Sequence, residues 1–208
     1  MNELPQESSP KVVLYEPRYL LNNAVTHIFD EYGWDVFDIS ADMFIKGFCS
    51  IVDKSALVAL GIDGTGKEII PFLRAIHHLS SMNYHIVVWL SKQDDVLKKL
   101  LISLGVSHIF TETTLYEELT YFADTHSFPT RCPEQPKSLL RAKLTNNELT
   151  TFLEISKGMS VASIANLRRC SNKTIYSLKR NACTRIGLNA HEWSGLLTTI
   201  SQIKSITF

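Results

Sequence analysis

The chain has 208 residues, 45% of them apolar and 20% charged, and its 21 basic and 21 acidic side chains give a formal net charge of zero. This composition excludes a disordered polyelectrolyte, and no apolar run approaches the ~20 residues that span a bilayer. The zero balance hides a split: residues 137–208 hold 11 basic and 3 acidic side chains, net +8, whereas residues 1–136 hold 10 and 18, net −8. A basic module carried on an acidic globular unit points to nucleic acid, because clustered Lys and Arg neutralise backbone phosphates.

The polar, acidic start MNELPQESSP has no basic or apolar signal-peptide region, so a cytoplasmic protein is expected, with residues 1–10 disordered. Lys11 to Tyr15 (KVVLY) is a short strand, and Leu20, Ala24, Val25, Ile28 and Phe29 then recur at helical spacing. Trp34 to Ile39 reads as a second strand and Asp42 to Val52 as a helix. Ala56 to Ile62 (ALVALGI) is a continuous apolar run, as in a strand buried on both faces. A helix over Glu68 to Ser80, the strand His85 to Leu90 and a helix over Asp94 to Leu104 follow. The strand Val106 to Phe110 and a helix over Leu115 to Ala123 complete the series. Five strands alternating with helices predict a (βα)5 α/β unit over residues 11–125, a doubly wound parallel sheet covered on both faces.

From 126 to 140 the periodicity stops, and Pro129, Pro133 and Pro136 mark a linker. Residues 141–208 then read as a small all-α unit of four helices. Thr145 caps the first, with Glu148 closing a capping box, and Phe152, Leu153 and Ile155 supply its apolar side before Gly158 ends it. Ser160 caps the second, in which Ile164, Ala165 and Leu167 are expected to face inward. Ser171 caps the third, Asn172 to Ile186, which Gly187 ends. Its stripe of Ile175, Leu178, Ala182 and Ile186 lies opposite Lys173, Tyr176, Ser177, Arg180 and Thr184. An apolar stripe backing a basic, hydrogen-bonding face is what a helix in the major groove requires.

These residues resemble the helix-turn-helix domain of the LuxR/FixJ (NarL-type) transcription regulators. The resemblance rests on Leu144-Thr145-x-x-Glu148, Gly158-x-Ser160, Ile164-Ala165 and Ser171-x-Lys173-Thr174-Ile175, with Arg185-Ile186-Gly187-Leu188 closing it. The stretch from Thr174 to Leu188 is similar to the Rcs phosphorelay regulators and their auxiliary co-regulators. The resemblance implies that Tyr176, Ser177 and Arg180 face base edges while Lys173, Thr174 and Lys179 hold phosphates. It also implies a fourth helix, about His191 to Ile203, that tends to dimerise. This sequence departs from the family at two positions. The core Leu of the second helix falls at Arg168, with Leu167 as its replacement, and the frequent His of the third helix is Leu178.

The βα alternation is similar to the receiver domain of such regulators, and aligning the strands puts its chemistry in doubt. A receiver needs an acidic pair for Mg²⁺, an aspartate nucleophile, a hydroxyl and a lysine. The corresponding positions are Glu16 followed by Pro17, Gly61 with Asp63 two residues on, Leu90 beside Ser91, and Glu112. The expectation is a pseudo-receiver that acts by protein contact, with no cofactor, no metal and no enzymatic activity. Leu20, Ala24 and Ile28 with Leu115, Leu119 and Phe122 offer either a dimer face or packing against the sheet. The partners implied are double-stranded DNA, a second copy or another LuxR-type regulator, and RNA polymerase, with no membrane.

Gly61-x-x-x-x-Gly66-Lys67 matches a P-loop, but Glu68 stands where Ser or Thr would hold Mg²⁺, so a nucleotide switch is only the alternative from another class. Cys49, Cys132, Cys170 and Cys183 have no metal-ligand spacing, and His77-His78 point to different sides of their helix. A third reading, a partner-sequestering protein that does not touch DNA, draws on Arg168.

Overall fold

Val12–Tyr15, Leu57–Gly61 and His85–Leu90 are apolar at almost every consecutive position, so they are stable only as strands covered on both sides. In the computed structural model, which describes residues 9–47, 53–125 and 143–205, they form the middle of a five-stranded sheet. The strands are β1 (Lys11–Tyr15), β2 (Asp35–Asp38), β3 (Leu57–Gly61), β4 (His85–Leu90) and β5 (His108–Thr111). All pairs are parallel, in the order β2-β1-β3-β4-β5, with Val13 opposite Val58 and Val58 opposite Ile86.

Alternation along each strand divides the core. Leu14, Ala59 and Trp89 face α1 (Tyr19–Glu31) and α5 (Glu112–Thr125). Val13, Val58 and Val88 face α2 (Ala41–Lys46), α3 (Ile69–Ser81) and α4 (Asp95–Leu104). Asp94 caps α4 by accepting from Val96 N (3.0 Å) and Leu97 N (2.8 Å). Three expectations change. The helix expected over 42–52 is α2, which Gly47 ends at a φ of 94°, and 48–52 lie outside the described residues. β5 begins at His108, not Val106, because Val106 N still bonds Leu101 O in the turn closing α4. Ile28, Leu115, Leu119 and Phe122 are spent on the sheet, so they build no dimer face, and only Leu20 and Ala24 of that set are exposed. The expected linker at 126–140 and most of the expected disordered N-terminus lie outside the described residues.

The helical unit comprises α6 (Asn146–Ser156), α7 (Val161–Leu167), α8 (Asn172–Ile186) and α9 (Ala190–Ser205). The Thr145/Glu148 capping box is present, with Thr145 N donating to Glu148 at 2.8 Å. Glu148 is nonetheless buried, and its other oxygen accepts from Arg185 Nε at 3.0 Å, so one carboxylate ties the start of α6 to the end of α8. Leu167 does not face inward; it is 66% exposed. Arg168 itself occupies the space, donating to Thr151 Oγ1 (2.9 Å) and to Glu154 on α6. The guanidinium thus replaces an apolar contact with a hydrogen-bonded one.

One apolar cluster continues from α3 and α4 into the helical unit through Leu149, Phe152, Trp193, Leu196 and Ile200. Polar contacts flank this seam. Leu144 N donates to Ser103 O (2.9 Å), and His77 Nε2 donates to Leu144 O (2.8 Å). Lys143 Nζ donates to Ser80 Oγ (2.7 Å), Lys99 pairs with Glu192, and Thr199 Oγ1 donates to Asp94 (3.2 Å).

Phe152 is fully buried edge-on to Trp193, their ring centroids 5.3 Å apart. Phe152→Ala is therefore expected to lower the unfolding free energy by about 3–5 kcal/mol in urea titrations. On the sheet, burial, assisted by Glu16 and Glu68, pushes the Tyr15 hydroxyl up to about 12. A raised folded-state value leaves stability intact below the ordinary tyrosine value of about 10 and removes it as pH climbs towards 12. Tyr15→Phe should flatten that alkaline decline, measured as urea stability against pH.

Candidate nucleic-acid interface and the carboxyl end of the sheet

Residue spacing on α8 fixes what it can present. Ile175, Ala182 and Ile186 are buried, and half-buried Leu178 packs with Ile164, Ala165 and Ile175. The opposite face carries Lys173, Thr174, Tyr176, Ser177 and Arg180, all exposed, with Tyr176 at 60%. Ser171 accepts from Thr174 N at 3.1 Å and lies 2.9 Å from Thr174 Oγ1, so the Thr174 hydroxyl is shared with the cap. Among the described residues no side chain pairs with Lys173 or Arg180. Lys179 differs from the others. It is half-buried, and its Nζ sits 5.5 Å from the Trp193 ring centroid on α9. Arg169, in the turn before α8, is exposed and holds a left-handed φ of 53°. Sequence reasoning passed over it, although the Arg168-Arg169 pair just before the Ser171 cap is visible.

At the carboxyl end of the sheet the positions aligned with receiver chemistry are gathered but differently employed. Glu16 is buried at the end of β1. Its carboxylate accepts from Arg18 Nε (2.7 Å), Arg18 Nη2 (2.8 Å) and Trp89 Nε1 (2.7 Å). Arg18 also pairs with Glu112 at the start of α5, and the two carboxylates hold its guanidinium well above the ordinary arginine range. Gly61 is bare for a steric reason: a Cβ there would lie 2.0 Å from Glu16 Oε2. Leu90 is buried in the core, and Asp63 accepts the backbone N–H of Ser91.

The site does not fit a divalent cation. Its one inward carboxylate is saturated by an arginine and an indole, and the positive charge is already supplied by Arg18. Among the described residues no group of three His, Cys, Asp or Glu side chains could hold a metal. Part of the Gly61–Lys67 loop is taken up by its own turn and by Pro17. Thr65 N bonds Ile62 O, Glu68 N bonds Thr65 O, and a Cβ on Gly64 would meet Pro17 Cγ at 2.0 Å. The Thr65 amide is thus spent within the turn, and Pro17 packs against Gly64. No described helix is long and apolar enough to cross a membrane.

No family model matches the chain, and no curated protein matches it. Solved structures do. Two RcsB dimers bound to two parallel DNAs align at 16% identity over 92% of this chain and 99% of that one, with a TM-score of 0.50. RcsB from Salmonella enterica serovar Typhimurium, bound to promoter P1flhDC in the presence of the phosphomimetic BeF3-, aligns at 16% over 93% and 100%, TM-score 0.49. The response regulator StyR aligns at 13% over 94% and 99%, TM-score 0.45. The likeness to RcsB is one of fold, a receiver-like sheet followed by a helical unit.

The contact between Gly61 and Glu16 gives a direct test. Gly61→Ala should destabilise the chain by roughly 1–3 kcal/mol through overpacking. Glu16→Ala opens that space, so the double variant should recover most of the Gly61→Ala loss in a double-mutant cycle of urea stabilities.

Proposed function

We propose that the chain is a sequence-specific DNA-binding transcription regulator that inserts α8 into the major groove. The observation that carries this reading is the face of α8. Lys173, Tyr176, Ser177 and Arg180 stand exposed on a helix whose other face is anchored by Ile175, Ala182 and Ile186. Arg180, Tyr176 and Ser177 reach base edges; Lys173 and Thr174 contact phosphates, and Arg169 adds a cation beside them. Lys179 reaches phosphate by leaving the Trp193 ring, so it contributes less than Lys173. Nucleic-acid complexes of RcsB, a neighbour in fold, agree with this reading.

The same proposal makes the sheet unit a pseudo-receiver that regulates by protein contact. Arg18 and Glu16 fill the space that a metal ion and a phosphorylatable aspartate would need, which supports a phosphorylation-independent role. Such a unit suits a co-regulator paired with another LuxR-type regulator on DNA, with RNA polymerase as the downstream contact. If tagged protein recovered on DNA from its own cells carries only a second copy of itself, the heterodimer reading gives way to an autonomous homodimer.

Arg180→Ala is expected to relax discrimination at one base pair by about 1–3 kcal/mol, whereas Lys173→Ala weakens binding to all sequences alike. The second variant should also reduce the slope of log affinity against log salt by about one unit. Competition binding on a randomised duplex library, repeated at two salt concentrations, reads both. Unchanged binding in both variants would remove α8 from the interface.

A further inference from the structure

Away from α8 and from the carboxyl end of the sheet, a cavity of about 710 Å³ opens between the end of α2, one face of α3 and the first turns of α6. Phe44, Ala75, Leu79 and Leu149 give it an apolar wall, and Lys46, Arg74 and His78 stand at its polar side. Among the described residues no aspartate or glutamate lines it, although the segment supplying most of the wall belongs to the half of the chain with net charge −8. Arg74 and His78 are one turn apart on α3 and both exposed. Among the described residues neither side chain has a hydrogen-bond or ion-pair partner, while Lys46 is paired with the exposed Asp42 at 2.7 Å. The cavity size is that of small-molecule sites, which combine apolar walls with a few convergent polar groups.

We infer that this cavity binds a small organic anion: an apolar body seated against Phe44, Leu79 and Leu149, with a carboxylate, phosphate or sulfonate head held by Arg74 and His78. Two observations select the anion. Among the described residues the charged side chains lining the cavity are cationic, and Arg74 offers a planar fork of donors with no internal acceptor. A neutral apolar ligand would leave that fork unused, and a cationic one would be repelled. The occupant touches α3 on one side and α6 on the other, so it bridges the two units at their shared seam. The inference rests on the cavity alone and stands or falls independently of DNA binding.

The test is a fluorescence titration of the full chain with 8-anilinonaphthalene-1-sulfonate, an aromatic anion, under native conditions checked by circular dichroism. The expected result is one saturable site from which decanoate displaces the dye and decyltrimethylammonium at equal concentration does not. Arg74→Glu should weaken dye binding about tenfold or more, the loss of a charge-assisted contact. Ala75→Trp, which fills the cavity, should abolish it, and Lys92→Glu, on an exposed loop elsewhere, should leave it unchanged. Binding that does not saturate, equal displacement by the cationic surfactant, or parent-like affinity in both Arg74→Glu and Ala75→Trp overturns the assignment. Competition by an acidic peptide but not by decanoate also overturns it, because the occupant would then be a protein segment.

Discussion

The pinning of Leu144 is the constraint on which the arrangement of this molecule depends. Both of its backbone groups are held by the sheet unit, the N–H by Ser103 O and the carbonyl by the imidazole of His77. α6 begins two residues later, so its position against α3 is set at its first turn. The apolar contacts of Leu149, Phe152, Leu196 and Ile200 then continue the core of the sheet unit into the helical one. Buried hydrogen bonds of this kind add about 1 kcal/mol each. Their larger effect is on geometry, since losing one leaves a buried backbone group unpaired. With α6 fixed, Glu148 fixes α8 through Arg185, and the exposed half of α8 is turned to solvent as a consequence.

The carboxyl end of the sheet is governed by a second buried charge. Glu16 is the kind of group that is costly to bury alone and tolerable when saturated. Arg18 and Trp89 saturate it, and Glu112 balances the remaining charge of Arg18. The result is an internally compensated cluster joining β1, β4 and α5. It holds these elements together at the edge where related folds often place ligands and chemistry.

Much of this was legible in the residues themselves. β3 and β4 announced themselves because strands buried on both faces admit no polar alternation. The caps at Thr145, Ser160 and Ser171 were legible because a short hydroxyl side chain before an apolar-periodic run has few other uses. What failed were questions of which face meets which neighbour. Leu167 looked like a core residue because it is apolar; its exposure follows from Arg168 finding Thr151 and Glu154 on another helix, and no local pattern encodes that. Leu115, Leu119 and Phe122 matched a dimer stripe and a core stripe equally, and the sheet claimed them. Arg18 escaped notice for the same reason: its two carboxylate partners are 2 and 94 positions away.

Gly61 and Glu16 limit each other's replacement. An aspartate at position 61 would collide with Glu16, and losing Glu16 would leave the Trp89 indole without its acceptor and Arg18 with Glu112 alone. A larger side chain at 61, or the loss of Glu16, is therefore expected to lower stability when made alone. The two positions therefore form a coupled pair, in which only a joint change of Gly61 and Glu16 avoids the cost of either alone.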